Sequence, residues 1–273
     1  MSSTCPTSLP PLIRWPGGKA RVSKKLIALF PPHDTYVEQF AGGASVIFAK
    51  PLVKTNVIAD ADPYVINLYR DVRKGALAQC DGGIKISRGL YHRAKKNKRA
   101  CYKVALSVLS YHGDRLSYGG RLNEGKVMLA RKLEKAECYA SKLRKAKLVR
   151  GDFAKVARAH DGCRTVHFWD PPWPLKYSDK YHAYGGAKSG KSKNKGAFGN
   201  AMDPEHVAKV GGKLKGTVVV IYNWTPELVR TFKKNGFRVK KVMVGTQHGR
   251  GGLVQRPNMV AIKRSRCAGR RAA

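Results

Sequence analysis

The run Val166-His167-Phe168-Trp169 ends at Asp170-Pro171-Pro172-Trp173, and this junction constrains the fold more than any other stretch of the chain. Four apolar or aromatic-rich positions read as a buried strand. Proline has no N–H to give to a ladder and cannot continue a central strand. The chain must therefore leave the sheet at Asp170, presenting a carboxylate, a proline carbonyl and a flat ring together. Two acceptors and a stacking surface suit a planar base that carries an exocyclic amine.

The chain has 273 residues, enough for one large α/β domain or one domain with a sizeable insert. It carries 54 Lys and Arg against 17 Asp and Glu, a net charge of +37. That excess costs self-repulsion in the folded state, and its natural partner is a polyanion, nucleic acid before an acidic membrane. No stretch approaches the ~20 apolar residues of a membrane span. The six cysteines (Cys5, Cys80, Cys101, Cys138, Cys163, Cys267) are scattered and none stands in C-x-x-C spacing. They read as reduced thiols of a cytoplasmic protein with no metal site. The N-terminus lacks a charged-then-apolar signal pattern.

Residues 1–13 read as a loose leader. Residues 23–30 have helical apolar spacing and stop at Pro31-Pro32. Residues 36–40 read as a strand, followed by a tight turn at Gly42-Gly43 and a helix carrying Val46, Ile47 and Phe48. A second strand at 56–60 ends in an acid, and 64–72 is an amphipathic helix. Strand, glycine turn, helix, strand, acid is the opening of a doubly wound, Rossmann-like nucleotide-binding fold. Residues 75–145 change character: apolar periodicity persists, basic residues dominate, and glycines break the stretch 111–121. Residues 128–143 read as one long helix. This block is expected to be an inserted helical subdomain, with 12–74 and 146–263 forming the catalytic domain. Strand character returns at 148–153 and 217–222. Thr225-Pro226-Glu227 caps a helix to about 234, and late strands at 237–244 and 258–263 form an antiparallel edge. A Gly/Lys/Ser-rich stretch at 185–196 holds Lys188, Lys191 and Lys193 as candidate phosphate contacts, and 264–273 is a basic, flexible tail.

Four strand-end signals fall into line: Glu38 and Phe40 before the Gly42-Gly43 turn, Asp60, Asp152-Phe153, and Asp170 to Trp173. In open α/β sheets ligands bind where the carboxyl ends of strands meet. The turn lacks a full G-x-G-x-x-G pattern, so a dinucleotide is not indicated. Upstream, Trp15-Pro16-Gly17-Gly18-Lys19 adds a ring, two glycines and a cation. With these elements in this order the chain resembles the Dam-type family of DNA adenine-N6 methyltransferases. The family's W-x-G-G-K, E-x-F-x-G-x-G/S, D-x-N and D-P-P-Y motifs correspond here to WPGGK at 15–19, EQFAGGAS at 38–45, DAD at 60–62 and DPPW at 170–173. Asp62 replaces the usual Asn and Trp173 the usual Tyr. The resemblance covers roughly residues 12–72 and 148–263, and the block between sits where the family has its target-recognition domain.

The resemblance implies a Rossmann-like methyltransferase fold and S-adenosylmethionine as methyl donor. Trp15, Gly17, Gly18 and Lys19 would line its pocket, with Glu38, Phe40, Gly42 and Gly43 forming the turn beneath its methionine part. Asp60 would take the ribose hydroxyls, and Asp152 and Phe153 the adenine. Asp170, Pro171, Pro172 and Trp173 would be the catalytic set, with Asp170 also counted among the cofactor contacts, acting on an adenine flipped out of the duplex. Tyr177, Tyr181, Tyr184 and Asn223 are candidate contacts to that base or to the gap it leaves. The high charge points to DNA, duplex and also single-stranded, as partner, and to relaxed or short-site specificity, as in an enzyme of a phage or other mobile element. Three other readings stay open: an RNA adenine-N6 methyltransferase, which usually places its catalytic motif before the cofactor turn; a non-catalytic basic module on the same fold; and methylation of a protein glutamine, whose enzymes usually have Asn at the Asp170 position.

Overall fold

The computed structural model of the chain describes residues 5–80, 84–173, 202–247 and 253–267. These residues form a seven-stranded sheet in the order β3-β2-β1-β4-β5-β7-β6. The strands are β1 (Thr35–Gln39), β2 (Thr55–Asp60), β3 (Lys147–Arg150), β4 (Thr165–Trp169), β5 (Thr217–Asn223), β6 (Arg238–Gln247) and β7 (Leu253–Lys263). β1 to β5 are parallel, and β7 runs antiparallel between β5 and β6. This is a Rossmann-like α/β fold. The order reverses between β1 and β4, whose last residues, Gln39 and Trp169, are register partners. The chain therefore diverges to opposite sides just beyond these two residues, leaving a crevice at the switch point.

Each face of the sheet carries its own core. Val166 and Phe168 of β4 join α2 (Ser45–Ala49), α3 (Pro63–Arg73) and the helices that follow α3. Trp169 of the same strand joins α8 (Phe153–Ala159), α9 (Pro204–Lys213) and α10 (Pro226–Lys234) on the other face. Alternation along an all-buried strand divides its side chains between two hydrophobic layers. The caps follow the sequence: Asp62 accepts from Tyr64 N at the start of α3, and Thr225 from Leu228 N at the start of α10.

Between α3 and β3 the chain forms α4 (Arg88–Lys96), α5 (Ala100–Leu109), α6 (Leu122–Glu134) and α7 (Ala136–Arg144). Residues 128–143 are not one helix. The backbone leaves helical geometry at Lys135 (φ −99°, ψ 15°), and α6 and α7 meet there. Apolar periodicity persists across such a break because both helices pack on the same core, so spacing alone does not reveal it.

The segment before Trp15 is also not loose. Leu9, Leu12 and Ile13 are buried. Tyr139 Oη donates to Pro10 O at 3.0 Å, and Lys142 Nζ to the carbonyls of Thr7, Phe48 and Lys50 at 2.6, 2.8 and 2.9 Å. A lysine from one element thus closes three carbonyls of two others. Replacing Lys142 with Met is expected to cost about 2 kcal/mol by leaving those carbonyls without their charged donor, read as a lower midpoint in urea denaturation.

The six cysteines are paired, contrary to the expectation of reduced thiols. Cys5–Cys138, Cys80–Cys101 and Cys163–Cys267 are disulfides with Cα separations of 5.3, 5.8 and 5.4 Å. Their sequence separations of 133, 21 and 104 residues hide the pairing, since only the fold brings the partners together. The first fastens the N-terminal segment to α7. The last fastens the chain beyond β7 to the lead-in of β4, and there Arg264 and Arg266 also donate to Leu29 O and Gly212 O. Among the described residues no helix is long and apolar enough to cross a membrane.

Candidate active site

Three chain segments meet at the switch point. The first is the loop Trp15 to Lys19. Gly18 N donates to Trp15 O at 2.9 Å, making a tight turn that aims Lys19 inward. Lys19 is 5 % exposed. Its ammonium lies 2.7 Å from each carboxylate oxygen of Asp170, 2.5 Å from Gly17 O, and 5.2 Å from the centre of the Trp173 ring. The residues at 15–19 and 170–173, 151 positions apart, form one cluster.

The second segment is the turn after β1. Phe40, Gly42 and Ala44 all have positive φ (56°, 46° and 50°). A Cβ on Gly42 would stand 2.7 Å from the Trp15 ring, so only glycine allows the ring to lie against this backbone. Tyr69 Oη donates to Gly42 O, and Gly42 N donates to Asp60 Oδ2 at 2.9 Å. Asp60 Oδ1 accepts from Asp62 N, also at 2.9 Å. The second-strand acid therefore binds the glycine turn to the next helix, and each of its oxygens retains a further lone pair for a ligand.

The third segment is β4 and its exit. Trp169 Nε1 donates to Gln39 Oε1, and Gln39 Nε2 to Phe153 O at 3.3 Å, which ties the ends of β1 and β4 to the start of α8. Phe153 packs against Phe40 and Trp169 at centroid distances of 5.1 and 5.3 Å. Burial raises the pKa of Asp170, and the Lys19 ammonium opposes this.

Several candidates take up other tasks in the structure. Glu38 is 3 % exposed beneath the turn, where it accepts from Tyr36 Oη (3.0 Å), Val46 N (3.4 Å) and Ile47 N (2.6 Å). It holds the first turn of α2. Asp152 is exposed and caps α8 through Lys155 N at 2.9 Å. Asn223 ends β5, in register with Asn258. Tyr177, Tyr181, Tyr184, Lys188, Lys191 and Lys193 lie outside the described residues. Sequence reading passed over Gln39, Tyr69 and Arg115. The first two carry no motif, and their roles depend on partners far along the chain.

Burial pushes the Glu38 carboxyl up from 4.5 to about 7 despite its three donors. The folded protein therefore holds a proton there that the unfolded chain has released. Stability from this group is complete below about pH 4.5 and declines as pH rises through about 7, by roughly 3 kcal/mol in total. Urea denaturation of wild type and Glu38→Gln across this window is expected to show the decline flattened in the variant.

Residues 15–104 match the family described as D12 class N6 adenine-specific DNA methyltransferase. This agrees with the Dam-type resemblance. The matched stretch holds the Trp15 loop, the glycine turn and Asp60, and ends before Asp170. No curated protein matches the chain significantly. Among solved structures, a Pyrococcus horikoshii protein provisionally designated an RNA methyltransferase is 11 % identical, with 94 % of this chain and 87 % of that one covered and a TM-score of 0.42. A precorrin-6y C5,15-methyltransferase from Geobacter metallireducens is 12 % identical, with 93 % and 98 % covered and a TM-score of 0.40.

Proposed function

We propose that the protein transfers a methyl group from S-adenosylmethionine to the N6 amine of a flipped-out adenine in DNA. The observation that carries this reading is the cluster at the switch point, where the Asp170 carboxylate, the Lys19 ammonium and the Trp173 ring come together beside the glycine turn. The family matched by residues 15–104 supports it.

The residues present fit the donor. Gly42 lets the Trp15 ring lie against the turn, and Asp60 has acceptor capacity for ribose hydroxyls. The other candidates are Trp15, whose ring lies against Gly42, with Gly17, Gly18 and Lys19 in the same loop, Phe40 and Gly43 in the turn, and Phe153 packed on Phe40. Glu38 contributes by holding α2 and Asp152 by capping α8. When bound, the donor supplies an electrophilic methyl group on a sulfonium.

Lys19 keeps Asp170 available as an anion against the cost of its burial. The carboxylate and the Pro171 carbonyl then accept the two amine hydrogens, which directs the nitrogen lone pair out of the base's conjugation and toward the methyl group. Trp173 stacks on the base. Such stacking is worth about 1–3 kcal/mol, similar to the cost of flipping a base out. In-line transfer with fixed positioning requires no covalent intermediate.

The helices between 88 and 144 are the proposed target-recognition subdomain. On α4 and just beyond it Arg88, Arg93, Lys95, Lys96, Lys98 and Arg99 are all exposed. Contacts of this kind are sequence-independent and salt-sensitive, which favours relaxed or short-site specificity.

The test is transfer from labelled S-adenosylmethionine to unmethylated duplex DNA, single-stranded DNA and RNA, with digestion to nucleosides. N6-methyladenine in DNA is expected. Label confined to RNA would move the substrate to RNA, and no label in any lane would overturn the enzyme.

A further inference from the structure

The loop between α5 and α6 reaches back into the edge of the candidate site. Its base is fixed: Asp114, 1 % exposed, accepts from Leu116 N at 2.9 Å, Ser117 N at 3.1 Å and the Ser117 hydroxyl. Gly113 has φ +79°, and a Cβ there would stand 2.6 Å from Arg14 O, so the loop is pressed onto the residue preceding Trp15. Arg115 follows at φ +62°. Arginine rarely occupies that region, which persists where the surroundings over-determine it.

The Arg115 side chain turns away from solvent and is 11 % exposed. Its guanidinium carbon lies 4.9 Å from the centre of the Trp15 ring and 4.3 Å from that of Tyr64, and Nη2 lies 3.2 Å from Asp62 Oδ2. An arginine placed to meet phosphate would keep its charge in water. This one gives its charge to the half-buried Asp62 carboxylate and stacks on two rings. Asp62 N is in turn bound to Asp60, which holds Gly42 N. A continuous chain of contacts runs from the α5–α6 loop through Arg115, Asp62 and Asp60 to the glycine turn. A cavity of about 360 Å³ opens beside it, lined by Asp62, Tyr64, Lys95, Leu106 and Arg115.

We propose that Arg115 is a positioning residue that ties the α5–α6 loop to the cofactor edge, so that binding of S-adenosylmethionine and binding of DNA by the helices 88–144 are coupled. This rests on the reading above that the switch-point site takes that cofactor. Arg115 holds Trp15 against the glycine turn and Asp62 against Asp60. A ligand at that turn therefore stabilises the loop, and a ligand on the loop stabilises the turn, by the same factor.

The experiment uses S-adenosylhomocysteine, which carries no methyl group to transfer, titrated calorimetrically with and without a duplex oligonucleotide. Wild type, Arg115→Lys and Arg115→Ala are compared, with thermal melting recorded for each. Wild type is expected to bind at least about fivefold tighter in the presence of duplex. Arg115→Ala is expected to bind about tenfold more weakly and to lose the duplex effect. Arg115→Lys keeps the ion pair without the planar stack and falls between. A lowered melting temperature with wild-type affinity and a wild-type duplex effect would make Arg115 purely structural and overturn the proposal. If Arg115→Ala does not fold, Arg115→Lys decides alone, and an unchanged duplex effect in it counts against coupling. Failure of wild type to bind S-adenosylhomocysteine at all would overturn the cofactor reading and this inference with it. Binding without a duplex effect would overturn this inference only.

Discussion

Asp170→Ala is expected to lower kcat for methyl transfer by about a thousandfold, the cost of losing an acceptor preorganised for the transition state. The variant is still expected to bind S-adenosylhomocysteine, because the contacts of Gly42 and Asp60 do not involve Asp170. Loss of chemistry with retained binding distinguishes a catalytic carboxylate from a structural one. The pH profile gives a second signature. Burial raises the Asp170 pKa above its ordinary value of 3.8. In the proposed mechanism the anion accepts one amine hydrogen while the Pro171 carbonyl accepts the other, so kcat/KM rises with pH through this raised value and then levels. Single-turnover rates measured as a function of pH check both points. A profile flat to below the ordinary carboxylate range would remove Asp170 from the chemistry.

Lys19→Met is expected to destabilise the protein by about 3 kcal/mol near neutral pH, since breaking a buried pair leaves one charge uncompensated. The value sits at the lower end of the usual range because the Asp170 side chain keeps 21 % of its surface in solvent. The sign of the pH dependence follows from the carboxylate. Without Lys19 the Asp170 pKa rises further, so the folded state takes up a proton at a pH where the unfolded chain does not. The loss is therefore largest at and above neutrality and shrinks as pH falls toward the raised pKa. The acid limb of kcat/KM moves up in the same variant. In the double variant Lys19→Met, Asp170→Asn the stability loss is smaller than the sum of the two single losses, because no charge is left unpaired. Urea denaturation at pH 5 and pH 8 on all four proteins completes the cycle, and additive losses would show that the two side chains do not act as a pair.

Much of the fold was legible from local signals. The Asp170-Pro171-Pro172 junction ends β4 because proline cannot extend a ladder, and Thr225 caps α10. Short buried runs bounded by acids and turn residues located β1, β2 and β5, period-3.6 patterning located α3, and the order of the elements implied the doubly wound sheet. Each of these signals is set by steric or hydrogen-bonding rules acting within a few residues.

Contacts between residues far apart in sequence are not encoded in such rules. Glu38 stands in a motif expected to meet the cofactor, but only the packing of α2 over β1 shows its carboxylate occupied by Tyr36, Val46 and Ile47. The Lys135 break between α6 and α7 leaves the apolar period intact and is invisible to it. Residues 5–13 carry little periodicity and read as loose, yet Lys142, Tyr139 and Cys138 fasten them from more than a hundred positions away. Arg115 looks in the sequence like one more cation among 54 Lys and Arg. Its left-handed backbone and its stack on Trp15 and Tyr64 exist only once the α5–α6 loop is folded against the strand ends. The sequence by itself determined which residue types stand at the carboxyl ends of the strands. The tertiary structure decided which of them face the crevice and which are held by one another, because that depends on how the layers close over the sheet.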